Sequence, residues 1–257
     1  MTMDRLARTV REQVALGRLL PLGTPDDNAW MTERAAVRAL RWTSAGLSGV
    51  RLGGVSLALA ESGGEAPESG PVGALPHLPV RIEASFEATA DEPLPQAADR
   101  LRDVLWTTAR DGLGIAVTEV DLQVTGLLDG DDAPVSELAG AEDAEPDGDE
   151  APVPLDPSGL AEAVATAALT VPGVVRLSRR PVGLGSGVRI QDTAADPAGD
   201  SAGSDEAPGR RVQVQIAVSP GHRPLEVARS VAAAVAVAAA EGAPGPVRTA
   251  IVVTDAG

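Results

Sequence analysis

Two histidines, two arginine pairs and a run of carboxylates are the side chains in this sequence that could do chemistry. His77 lies in a proline-rich stretch and reads as a solvated loop residue. His222 stands beside Arg223, between the end of an alternating segment and the start of a helix. It reads as a turn residue. It also reads as part of an anion-binding corner, because helix N-termini favour negative charge. Two histidines so far apart make no metal-ligand cluster. Arg179-Arg180 and Arg210-Arg211 flank the excursion 181–209. If the strands on either side pair, all four sit at one sheet end. There they form either a docking site for an acidic segment, the chain's own linker included, or ordinary solvated strand ends.

Nucleophilic chemistry finds little support. No Gly-x-Ser-x-Gly elbow comes with a histidine and an acid to serve it. The cluster Gly183, Gly185, Gly187 fits neither dinucleotide nor phosphate-loop spacing and reads as a turn. General acid–base work needs fixed, desolvated carboxylates, and paired carboxylates are abundant in the tract 129–154, which reads as solvated. No catalytic residue, cofactor or metal ligand is expected, and the chain reads as a non-enzyme.

The elements that must position these residues follow a repeat. Val80, Ile82, Ala84 and Phe86 alternate with more polar neighbours, as do Val212, Val214, Ile216 and Val218. Period-two alternation predicts a strand with one buried face. Each strand leads through a turn to a Pro-Leu helix start, Pro93-Leu94 and Pro224-Leu225, and proline is favoured in the first turn of a helix. Each helix runs to a glycine, at Gly112 or Gly114 and at Gly242, and then to a closing strand. Upstream, Thr32 caps a helix through Ala45 and Asp156 caps one through Thr170. Both lead into Gly-Val…Arg-Leu strands at 49–52 and 173–177, with further strands at 55–59 and 187–191.

The expected fold is α+β: two tandem two-layer α/β sandwich domains, each in the order α-β-β-β-α-β, with the first two strands fused in one copy. The boundaries are 1–128, with an extra amphipathic helix at 4–16; a disordered acidic linker at 129–154; and 155–257. The segment 17–23 reads as ending in a proline/glycine break. Residues 61–79 and 192–209 read as unfolded loops at matching places in the two copies. Trp30, Trp42 and Trp106 read as core residues at helix starts or on helix faces.

Composition narrows the function. The 257 residues carry a net charge of −16, and all the basic residues are arginine. Clustered cations supply non-specific nucleic-acid affinity, so nucleic-acid binding is not expected. There is no cysteine, which excludes disulfides, thiol chemistry and thiolate zinc sites. No apolar run approaches the ~20 residues of a membrane span, and the first 23 residues lack a leader's apolar stretch. A cytoplasmic location follows, with any membrane contact peripheral and made through a partner.

Residues 155–255 resemble the alkaline-shock and general-stress family of envelope stress response proteins of Gram-positive bacteria. The resemblance is carried by Val171-Pro-Gly-Val-Val-Arg-Leu177, the strand 212–218, Pro224-Leu-Glu-Val-Ala228 and the closing Thr254-Asp255. The whole chain is similar to actinobacterial proteins filed under a nucleopolyhedrovirus family name, through Val14 to Gly23 and Ala29 to Ala36. The resemblance implies a domain that assembles with itself, with related envelope stress proteins or with a membrane-anchored partner. It implies no catalytic residues. Ser219-Pro-Gly-His-Arg223 replaces the family's aromatic-bearing turn, and the loops are longer than usual. A second reading, a small-molecule or anion sensor, holds its ligand between the two domains near His222, Arg223 and the arginine pairs.

Overall fold

The computed structural model describes residues 18–61, 70–128, 159–178, 187–193 and 208–256. They form an α+β fold with four α-helices and nine strands in two sheets. In chain order the elements are β1 (Leu19–Leu22), β2 (Ala29–Thr32), α1 (Glu33–Ser44), β3 (Val50–Leu59), β4 (Val80–Thr89), α2 (Leu94–Thr107), β5 (Val117–Leu128), α3 (Leu160–Leu169), β6 (Val174–Leu177), β7 (Val188–Thr193), β8 (Gly209–Val218), α4 (Pro224–Ala238) and β9 (Val247–Ala256). The expected helix at 4–16, the linker 129–154, Asp156, Arg179 and Arg180 lie outside the described residues.

The repeat is visible in the strand registers. β3 pairs antiparallel with β4, and β4 pairs parallel with β5. In the second half β6 and β7 both pair antiparallel with β8, and β8 pairs parallel with β9. The register slips between Phe86 and Glu87 in one copy and between Ile216 and Ala217 in the other. The residue left over at each bulge is a threonine. Thr125 donates to the Phe86 carbonyl and Thr254 to the Ile216 carbonyl, each at 3.2 Å. β3 is a single strand where the second copy has β6 and β7, and the Leu52/Val55 bulge at Gly53-Gly54 stands at the position between those two strands.

The local signals work largely as expected. Thr32 accepts a bond from the Ala35 amide and caps α1. Pro93 and Pro224 begin α2 and α4. After α2 a single π turn, Thr108–Leu113, keeps Ala109 and Leu113 buried before Gly114 reverses the chain. Gly114 has φ +91°, and a Cβ there would lie 2.6 Å from Cβ of Leu225 at the start of α4. Only glycine allows that conformation and that approach.

Several expectations are corrected. The proline/glycine break at 17–23 is strand β1, with Pro21 tolerated near a sheet edge. Trp30 lies in β2, fully buried, and donates to the Leu75 carbonyl at 3.1 Å. Trp42 is 69% exposed on α1, because it falls between the buried positions Ala39, Leu40 and Ser44. Residues 70–79 are folded onto β1: Leu19 donates to Gly73, and Leu75 donates to Leu19. The capping residue of α3 is Gly159, and the helix begins at Leu160.

The two halves share one core. β2 pairs antiparallel with β1 and parallel with β9, so the lead-in of the first half extends the second half's sheet. α1 packs against β3 of one sheet and β9 of the other. Buried side chains from both halves, among them Met31, Leu40, Phe86, Leu101, Ile216, Val231 and Ile251, belong to one contiguous cluster. Small side chains bury little area each. One core large enough for both copies offsets that deficit.

Candidate interaction site

The histidines and arginines divide among separate places. Arg210 is 6% exposed and fully engaged. It makes two bonds of 2.7 Å to Asp192 and donates to the carbonyls of Ala239, Glu241 and Gly242 beyond α4. Its guanidinium therefore satisfies the orphan carbonyls of a helix end, a structural task. The same bond holds the Asp192 carboxyl below its ordinary range. Arg211, next along β8, points to the opposite face, in register with Gln191 and beside Arg248 of β9. Arg210, Arg211, Arg248 and Thr193 line a shallow depression at this end of the sheet.

His222 and Arg223 lie at the other end of β8. Seven residues of strand, Val212–Val218, at about 3.3 Å each, put roughly 23 Å between the two groups. Nδ1 of His222 is 3.0 Å from Oγ of Ser219 in an exposed turn, and its ring covers Gly173. Arg223 donates to Glu226 and to the Arg110 carbonyl of the first half. The arrangement ties a turn to its neighbours. A second tie joins the halves where Arg229 grips Asp27 with bonds of 2.7 and 3.0 Å. That contact holds the Asp27 carboxyl down at about 2.

His77 is not a solvated loop residue. Its ring lies 5.0 Å from that of Trp30, and its Nε2 is buried without a hydrogen-bond partner among the described residues. Burial pushes the imidazole below its ordinary pKa, partly offset by a bond to the Ala29 backbone and by the charge of Asp27. His77 and Ala74 cover the face of β1, β2 and β9 away from the helices, over a cluster of Leu19, Trp30, Ala250 and Val252.

The remaining feature is the strand edges, which are templates for pairing unless managed. β1 is covered by residues 73–75. β3 is capped from α1, where Glu33 accepts from the Leu57 amide and Arg41 donates to the Gly53 carbonyl at 2.8 Å. β6 and β7 are short and interrupted. β9, the counterpart of β5, has its outer edge taken by β2. β5 differs. It runs twelve residues, from Val117 to Leu128, and no strand among the described residues pairs with its outer side. Thr118, Glu119, Asp121, Gln123, Val124, Thr125 and Leu127 are exposed, with Val124 at 41% and Leu127 at 62%.

No helix among the described residues is long and apolar enough to cross a membrane, and none of their His, Asp and Glu side chains form a group fit to hold a metal. Comparison with protein families, with curated proteins and with solved structures finds no match.

Proposed function

We propose that the protein is a non-enzymatic adaptor or scaffold of the cell-envelope stress response, acting through protein–protein interaction. The observation that carries this is the edge of β5, a long strand with exposed apolar residues that no strand among the described residues pairs, while the other edges described are covered, capped or short. Such an edge binds an extended segment through main-chain hydrogen bonds. The likeness of residues 155–255 to envelope stress response proteins supplies the setting. Its partners are related proteins, one of them membrane-anchored, which would hold this chain at the membrane from the cytoplasmic side.

Purification of the tagged chain from its own cells in mild detergent tests this reading. The expected result is a membrane-anchored partner that co-purifies with the native chain. That partner is lost with the double variant Val124→Glu, Leu127→Glu, whose thermal stability should be unchanged. A chain that purifies alone, with and without alkaline stress, would overturn the reading.

A further inference from the structure

We infer that two copies of this chain pair through β5, antiparallel about a two-fold axis at Leu122, to make one continuous six-stranded sheet from two three-stranded ones. The inference rests on the adaptor reading of the β5 edge and names one occupant for it.

The exposed edge of β5 is self-complementary. β5 is regular against β4 from Glu119 to Val124, between two bulges. Antiparallel pairing about Leu122 places Val120 opposite Val124 of the second copy and Asp121 opposite its Gln123. Side chains directly opposite lie on the same face. Val124, exposed at the end of the helix-covered face, then continues the apolar layer to which Val120 belongs. Asp121 of each copy meets a neutral amide, and Glu119 falls opposite Thr125. Moving the axis one residue towards the N-terminus sets Asp121 against itself, and two residues sets Glu119 against Asp121. Both are like-charge contacts across a strand pair, which destabilise.

The folded chain offers a parallel inside itself. The matching edge of β9 is paired at Ile251–Val253 by a strand, β2, from elsewhere in the chain. β5 has the same bulge and the same bulge threonine, and lacks that strand. Arg102 reaches the Val120 carbonyl at 3.5 Å, a bond at the limit of length that a partner amide displaces at little cost. An isologous contact uses the edge once in each copy, so assembly closes at a dimer rather than growing into a filament.

Sedimentation of the full chain over a concentration series tests this, with circular dichroism to confirm folding of each variant. The native chain should form a reversible dimer and nothing larger. Gln123 is exposed and meets Asp121 twice across the axis. Gln123→Glu should therefore weaken the dimer about fivefold and Gln123→Arg should tighten it by about as much. The chain has no native cysteine. Leu122→Cys should cross-link into a disulfide dimer on mild oxidation, and Val124→Cys, offset from its own copy, should not. A chain that stays monomeric, or a dimer indifferent to both Gln123 changes and cross-linked equally well from either position, overturns the inference. A monomer that still captures a β5-dependent partner leaves the adaptor reading standing. A dimer that captures nothing removes the adaptor reading alone.

Discussion

At the scale of single residues, His77 and Arg210 serve the fold. His77 is the clearest instance. Its imidazole is held neutral by burial against Trp30, with an unpartnered Nε2 that would become a buried cation on protonation. A histidine whose folded pKa is lowered contributes stability that is present above its unfolded value of about 6.5 and is lost as pH falls towards the folded value. Thermal stability should therefore decline below about pH 6.5. Trp30 fluorescence should change with a midpoint below that pH, and His77→Phe should flatten both curves. A Trp30 titration at or above the ordinary histidine value would show that the ring is solvated. The sequence hid this contact, because residues 77 and 30 are brought together by the docking of 70–79 on β1, a non-local event without a local pattern.

At the scale of elements, the alternating strands, the Pro-Leu helix starts, the Thr32 cap and the closing strands were all legible. Each has a short-range physical cause: face periodicity, a missing N–H, a side-chain oxygen. β1 and β2 were not legible. Four residues each, with a proline in one, they carry no alternation and become strands only because β9 offers an edge. Trp42 was misread for a related reason: helix propensity places a residue in α1 without saying which side the core lies on. Of the candidate anion site, the sequence located Arg210 and Arg211 but could not show that neighbours on a strand face opposite ways into different surroundings. Arg210 is the tie between β7, β8 and the end of α4. Arg210→Met should cost about 1–3 kcal/mol, because it leaves the buried Ala239 carbonyl without its donor while the exposed Asp192 turns to water. Chemical denaturation measures it. A loss near zero would mean that water replaces the guanidinium.

At the scale of the whole molecule, the two copies are joined by more than sequence. The hairpin β1–β2 and helix α1, both from the first half, lie on β9 of the second. Gly114 receives Leu225, Gly23 bonds the Gly114 carbonyl, and Arg229 grips Asp27 across the same seam. The internal repeat was legible from loops and Pro-Leu positions. Its asymmetry was not: one closing strand ends up enclosed and its counterpart ends up at an edge. That asymmetry underlies the proposed function, since among the described residues it leaves the long outer side of β5 without a strand partner.

Hydrogen–deuterium exchange along the two closing strands tests this most directly, comparing dilute protein with protein assembled at high concentration or bound to a captured partner. Amides in Val117–Leu128 should gain protection on assembly, while those of Ile251–Val253, already paired with β2, should not change. Protection appearing instead around Trp42 on α1 or at 188–193, with β5 unchanged, would contradict it.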